Sequence, residues 1–433
     1  MATASDSPTG TRAAPLAGSP AGSLRPVTED EFPRWARMIA DTYGADRTEA
    51  ELADQRAATD LARTLAAFDG TEPVAGASLY PRQLTVPGAI LPVAGVASVG
   101  VAPTHRRRGL LTAMMRAQLT ALHEQGGEPL AALRPTEGGI YGRYGYGPAT
   151  QGNRLRCDRR ALRFRPDTDF GDGEVGLLDA ARARPLLARV YDRARRTRPG
   201  WPDRQECHWR VRLADHPHRR GAATALRYAV HLAADGSPTG YALYRHRPAT
   251  DASGEPSGLV EVAELAALDR RSYAALWRFL AGLDLMAWIE YEGALDEALP
   301  HLLAEPRAVR QAPVDRLWVR LADLPRALAG RRYTLPLDLV LEVEDEFCPW
   351  NQGRYRLVAE EAGAACERTR DPAELRLTAA ELGAAFLGGT TLAALAAAGR
   401  VEELRPGALA RASAAFRGER EPWYPGGWAF PLY

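Results

Sequence analysis

Lysine is missing from this chain of 433 residues, so all 55 of its basic side chains are arginine. Neither a Schiff base nor a lysine general base is available, which removes several nucleophilic mechanisms. Cysteine is scarce: Cys157, Cys207, Cys348 and Cys366 lie far apart and form no CxxC pair. That spacing suggests neither a zinc site nor a disulfide framework, and a reduced, cytoplasmic protein is expected. A run of about 18 apolar residues, long enough to span a bilayer, is absent. So is a basic start followed by an apolar block. The first 24 residues are rich in Ala, Ser, Pro, Thr and Gly and read as a disordered tail with no export signal. An excess of one charge is missing too, with 55 basic against 54 acidic side chains, so nothing in the bulk charge points to nucleic acid or a membrane surface.

What is present is ordinary for a folded protein: 46% apolar and 25% charged residues, in a chain too long for one core. Two or three domains are expected. From Pro26 to about Arg156, helical spacing (Glu29 to Tyr43, Glu49 to Phe68) alternates with strand patterns (Val74 to Tyr80, Leu91 to Val101). A helix from Arg107 to His123 ends at Gly126-Gly127, and Pro129 to Arg134 reads as a further strand. A second mixed region begins near Arg163, with a helix over Ala180 to Arg196, strands over Ala225 to Ala233, Gly240 to Arg245 and Leu259 to Leu268, and a helix from Ser272 to Leu283. The last region, from about Asp315, reads as an α+β unit. Its strands are Leu337 to Val343 and Tyr355 to Glu360, and its helices Ala379 to Leu387 and Thr391 to Ala398. The corresponding boundaries are 25–160, 161–312 and 313–433.

The first two regions echo each other. AGVASVGVAPTHRRRGLLTAMMRAQLTAL (Ala94 to Leu122) and VEVAELAALDRRSYAALWRFLAGL (Val260 to Leu283) both run strand, polar turn with arginine, amphipathic helix, and the second copy has lost its turn glycine. In the first copy the turn carries His105, Arg106, Arg107, Arg108 and Gly109. A helix start exposes unpaired N–H groups, and a glycine there lets a phosphate approach the backbone, so the pattern suits a diphosphate-bearing ligand. Three arginines at a helix start can equally be a solvated surface, and the turn alone does not decide between the two.

A second motif, EGGIYGRYGYGPAT (Glu137 to Thr150), threads Tyr141, Tyr144 and Tyr146 among five glycines. Together with VAPTHRRRGLL it resembles the enhanced intracellular survival (Eis) family of GCN5-related N-acetyltransferases. The resemblance implies tandem acetyltransferase folds, the second degenerate and without the coenzyme A loop, followed by a sterol-carrier-protein-like α+β domain. PWNQGRY (Pro349 to Tyr355) and AAFLGGTTLAAL (Ala384 to Leu395) are similar to the latter.

The resemblance further implies acetyl-CoA as the acetyl donor and an amine as acceptor. Carried onto this chain, the backbone of Val99, Gly100 and Val101 would pair with the pantetheine arm. Arg107, Arg108, Gly109, Leu110, Leu111 and Thr112 would hold the pyrophosphate. Thr136 and Glu137 match another contacting pair, usually Ser-Glu, and Thr136 keeps the hydroxyl. The general acid falls on Tyr141, since a phenol can protonate a departing thiolate of only slightly lower basicity. The general base falls on the chain's terminal carboxylate at Tyr433, with His105 as a rival. Tyr144 and Tyr146 are read as packing residues. For the acceptor pocket, Asp41, Tyr43, Asp46, Trp35 and the aromatic tail from Trp423 to Trp428 are candidates. The acceptors implied are aminoglycoside-like amines, with protein lysines or small amines as the alternative, and the assembly implied is a homohexamer. A non-catalytic lipid-binding protein on a relic scaffold is the rival from another class. His216 and His218 have no spacing that suggests metal ligation.

Overall fold

The structure is a computed structural model and describes residues 24–427. The first unit opens with two helices, α1 (Phe32–Thr42) and α2 (Glu49–Ala58). α1 buries Phe32, Trp35, Ala36, Ile39 and Ala40, an i, i+3, i+4 stripe laid against the first sheet. α2 starts at a capping box in which Thr48 and Glu51 satisfy each other's backbone N–H groups. The helix expected to reach Phe68 stops at Ala58. Asp60 then caps a short 3₁₀ turn, and Thr64–Asp69 is instead strand β1, paired antiparallel with β2 (Glu72–Val86). Ala66 and Ala67 point to opposite faces of this strand and both are buried, in two different core clusters, and its pairing wins over a helical spacing that Thr59-Asp60 interrupts.

β3 (Ala89–Val101) follows by a tight turn, then α3 (Leu110–Gln125) and β4 (Leu130–Leu133). α3 buries Leu110, Met114, Met115, Leu119 and Leu122, and stops at Gly126, whose φ of +65° supplies the left-handed C-cap. The sheet is completed by β5 (Gly147–Pro148) and by a strand from far along the chain, Trp318–Leu321, which lies between β4 and β5.

The second unit is a seven-stranded sheet. Its elements are β6 (Gln151–Asp158), β7 (Glu174–Leu178), α4 (Ala180–Arg195), α5 (Glu206–Leu213), β8 (Arg227–Leu232), β9 (Pro238–Arg247), β10 (Gly258–Ala267), α6 (Arg270–Ala281), β11 (Met286–Ala294), α7 (Leu299–Leu302) and β12 (Val309–Asp315). The strand order is β12-β6-β11-β10-β9-β8-β7. β6 therefore belongs to this sheet although it lies before residue 160, and β13 (Trp318–Leu321) belongs to the first although it lies after 313. The chain exchanges strands across both sequence boundaries, because ladder pairing and not chain order decides membership.

The third unit holds α8 (Leu324–Ala329) and a sheet of β14 (Leu337–Glu344), β15 (Gly353–Glu360), β16 (Gly363–Arg368), β17 (Leu375–Thr378) and β18 (Val401–Glu403), covered by α9 (Ala379–Ala385), α10 (Leu392–Ala397) and α11 (Ala408–Phe416). It shares one apolar core with the first unit, in which Leu84, Val93 and Val319 pack with Leu339, Tyr355 and Phe386. The approach is close. A Cβ on Gly147 would stand 1.9 Å from the Ala380 carbonyl oxygen of α9, so only glycine fits there. Among the described residues no helix is long and apolar enough to cross a membrane.

Candidate active site

The site begins where two strands part. β3 and β4 pair in parallel only at Val93 with Leu130, Ala94 with Ala131 and Gly95 with Ala132. Beyond Gly95 β3 stays paired with β2 as far as Val101, while its other edge pairs with no strand among the described residues. A register shift opposite Gly76 and Ser78, with Ser98 at φ +52°, bends β3 at this point. The free edge carries Val99, Gly100 and Val101. Tyr43 donates its hydroxyl to the Val99 carbonyl at 2.6 Å, which leaves that oxygen one further lone pair.

From Val101 the chain passes through a 3₁₀ turn (Pro103–His105) into α3. Two residues of the loop have positive φ, Arg107 at +63° and Gly109 at +80°. Gly109 is the N-cap of α3 and offers no side-chain acceptor, so the first N–H groups of the helix, from Leu110 to Thr112, are left for another partner. A Cβ at Gly109 would meet nothing within 4 Å; what the position demands is the backbone conformation and open access. Arg106, Arg107 and Arg108 are exposed around this helix start, where the macrodipole adds to their charge.

The glycine-rich motif forms the opposite wall. Tyr141 leads a 3₁₀ turn (Gly142–Tyr144), and its carbonyl accepts from the N–H groups of Tyr144 and Tyr146 at 3.0 and 3.3 Å. Gly145, at φ +81°, lies directly on the Arg320 guanidinium, 2.7 Å from where a Cβ would be, so both conformation and space require glycine. The three phenols separate in role. Tyr146 is buried edge-on against Tyr141, and burial pushes its hydroxyl far above the ordinary phenol range. Tyr144 is buried against Phe347, with its hydroxyl 3.1 Å from Thr112 Oγ1. Tyr141 lines an open cavity, and Tyr144 reaches the same cavity.

That cavity has a volume of about 800 Å³. It gathers Val99, Gly100, Val101, Arg107, Gly109, Leu110, Leu111, Thr112, Thr136, Glu137 and Tyr141, all singled out in the sequence. Arg108 does not line it; its guanidinium folds back to the Thr104 carbonyl at 3.2 Å. Thr42, Ile140 and Arg143 line it and were missed, although two lie inside the glycine-rich motif and Thr42 adjoins Tyr43; Tyr144, read as a packing residue, lines it as well. His105, the rival base, sits at the rim with Nδ1 2.9 Å from Thr104 Oγ1 and Nε2 3.3 Å from Asp69.

The acceptor-pocket candidates fare differently. Tyr43 lines the cavity. Trp35 does not shape a pocket: it is fully buried in the core between α1 and the sheet, its indole against Gly76. Asp41 and Asp46 are exposed and outside the cavity. Trp423 is buried in the second unit, its ring against Gly152 and its N–H donated to Pro199 at 2.9 Å. The chain then passes between two buried arginines. The Gly426 carbonyl accepts from Arg204 at 3.4 Å and the Gly427 carbonyl from Arg82 at 3.0 Å. Trp428 and Tyr433 lie outside the described residues. Among those residues no group of three or more His, Cys, Asp or Glu could hold a metal ion.

Comparison with known proteins agrees with this layout. The family described as "Acetyltransferase (GNAT) domain" matches residues 23–149, a second of the same description matches 200–321, and "Sterol carrier protein domain" matches 324–425. The chain is 42% identical to an "Uncharacterized N-acetyltransferase" of Streptomyces avermitilis over 412 residues, 93% of this chain and 99% of that one. It is 39% identical to N-acetyltransferase Eis of Mycobacterium tuberculosis over 360 residues, 80% of this chain and 85% of that one. The crystal structure of Eis1 from Mycobacterium abscessus superposes with a TM-score of 0.80 at 33% identity, covering 93% and 99% of the two chains. With its two acetyltransferase units, its sterol-carrier-like unit and a cavity at the parted strands of the first, this chain belongs to the Eis-like N-acetyltransferases.

Proposed function

We propose that this protein acetylates amino groups of aminoglycoside-like substrates, with Tyr141 as general acid and the terminal carboxylate of Tyr433 as general base. The observation that carries the reading is the single cavity that joins the free edge of β3, the uncapped start of α3 and the Tyr141 side chain.

These features fit acetyl-CoA. The strand edge offers peptide groups to amides, and the helix start offers N–H groups and arginines to phosphates. When bound, acetyl-CoA supplies an activated acetyl thioester. The chain's own part is then to hold the thioester in place, to give a proton to the departing sulfur from the Tyr141 hydroxyl, and to take one from the attacking amine. Tyr141 suits the first proton transfer because it lines the cavity and its backbone is fixed by the Gly142–Tyr144 turn. Support for the second comes from the tail, whose last described carbonyls rest on arginines of the first and second units. Six residues beyond Gly427 can extend by roughly 20 Å.

A lipid-carrier role for the third unit fits less well. The Arg331 side chain is buried within that core, against the rings of Tyr333 and Phe416, and donates to the carbonyls of Phe386 and Phe416. Homohexameric assembly remains part of the proposal and is testable by light scattering.

The deciding measurement is coenzyme A release with aminoglycosides, small amines and lysine peptides in parallel. Release is expected with aminoglycosides. Silence with these and release with lysine peptides would replace the acceptor, and silence with every amine would overturn the reading.

A further inference from the structure

The second unit repeats the geometry of the first as far as the parted strands. β10 and β11 pair in parallel from Gly258 with Met286 to Val262 with Tyr291. Past Val262 no pairing joins them, while β10 stays paired with β9 through Ala267. A cavity of about 350 Å³ lies at this gap, at the small end of the range for ligand sites. Its walls include Leu265 and Ala267 of β10, Tyr273 of α6, Tyr291 of β11, and Trp201 and Trp423.

What differs is the helix start. Where α3 begins at a bare glycine, α6 begins at Asp269, whose Oδ1 accepts from the N–H groups of Arg271 and Ser272 at 2.9 Å each. The groups that would receive a pyrophosphate are occupied, and by an anion that repels one. The phosphate end of the site is closed; the strand gap is not.

Three observations describe what would fill the gap. Trp201 is only 6% exposed and lines the cavity, yet its indole N–H has no hydrogen-bond partner, so an occupant with an acceptor is called for. Part of the charge in the lining is paired within it: Arg198 pairs with Asp296, and Tyr273 donates to Glu297 at 2.5 Å, whose carboxyl burial pushes up toward the neutral acid, while Arg420, also in the wall, makes no ion pair among the described residues. Finally, the edge of β10 beyond Val262 presents peptide groups to the gap. The Ala263 carbonyl is satisfied by Arg212 at 2.7 Å, while among the described residues no strand pairs with those further on.

We propose that this gap is a second binding site, for a phosphate-free, amide-bearing chain with an apolar body. The occupant pairs with the β10 edge as a neighbouring strand would, and one of its carbonyls accepts from Trp201. A phosphate-free pantetheine and an N-acetylated amine both have this chemistry; coenzyme A does not, because Asp269 blocks its phosphates.

The site is tested on the full chain saturated with coenzyme A, so that the first cavity is occupied. Pantetheine and, separately, N-acetylbutylamine are titrated by calorimetry. One equivalent of at least one probe is expected to bind per chain; uptake of pantetheine alone or of the acetylated amine alone identifies which source the site serves. Trp201→Phe should weaken that binding at least tenfold, and Ala267→Leu, which fills the gap, should abolish it, with the coenzyme A titration unchanged in both. Absence of binding by both probes at millimolar concentration, or equal binding in the wild type and Ala267→Leu, overturns the proposal. Failure of coenzyme A itself to bind counts against the proposed function instead. The second site is then read from the difference between wild type and Ala267→Leu with the probes alone.

Discussion

Asp345→Ala should destabilise the fold by about 3–5 kcal/mol, the range for removing one partner of a buried ion pair. Arg320 stands on β13 in the first sheet, and Asp345 follows β14 in the third unit; their side chains are 0% and 1% exposed, with Nη2 and Oδ2 2.5 Å apart. At an effective dielectric near 20, two unit charges about 4 Å apart attract by about 4 kcal/mol, which sets the scale. Little would compensate for the loss. Apart from Asp345 the buried Arg320 guanidinium has the Cys348 thiol beside it, a weak acceptor, and the same carboxylate also accepts from the Cys348 N–H at 2.9 Å.

The assay is urea unfolding of Asp345→Ala, of Asp345→Leu, of Arg320→Met and of the double variant Arg320→Met with Asp345→Leu, the last three forming the cycle. The double variant should recover most of the loss, because it removes the buried charge as well as its partner. A loss below about 1 kcal/mol for Asp345→Ala, as for a surface pair, would refute the reasoning. So would strictly additive single losses. The pair also underlies the site: the Gly145 turn that carries Tyr141 rests on the Arg320 guanidinium.

Three further outcomes are expected. Tyr141→Phe should keep acetyl-CoA binding while turnover falls roughly tenfold or more, the scale of a lost general acid, and unchanged turnover would remove Tyr141 from the mechanism. A tag fused after Tyr433 converts the terminal carboxylate to an amide and should impair turnover more than the same tag at Met1; equal activities would speak against a terminal base. Glu51 is buried, and although desolvation raises its pKa, hydrogen bonds from Thr48 and Arg219 outweigh that and hold it down at about 2. Its stabilisation is therefore present above the ordinary value of 4.5 and is lost as pH falls from there toward 2, so Glu51→Gln should flatten that part of the stability profile measured by thermal unfolding.

The parts legible in the sequence were those whose chemistry is local. The strand, basic turn and helix around Gly109 are set by one stretch of chain, and so is the glycine-spaced turn that carries Tyr141. Pairing is not local. Nothing between Gln151 and Asp158 announces that this strand leaves the first unit to lie between β11 and β12, nor does Trp318–Leu321 announce its return beside β4. Trp35 illustrates a second limit: an aromatic at the end of the acceptor side reads as a pocket wall until the absence of a Cβ on Gly76 gives its ring a place inside the core. The short strand at Thr64 was lost to a helical spacing because six residues give too little alternation to compete.

The echo between the two acetyltransferase units carries the remaining step. The copies differ at the helix start, where the long basic turn of the first (102–109) is shortened to Leu268-Asp269 and an aspartate takes the place of the glycine, and that difference has a definite physical content. Gly109 leaves N–H groups open beside three arginines; Asp269 occupies the equivalent groups with its own carboxylate. Loss of phosphate recognition requires no more than this. It does not require the strands to close, and they have not closed, since the ladder between β10 and β11 ends at Val262 much as that between β3 and β4 ends at Gly95. A unit kept only as packing would be expected to fill such a gap with side chains, because a void forfeits contacts along its whole lining. An open gap with an unpaired indole N–H at its wall is therefore better explained by an occupant than by decay.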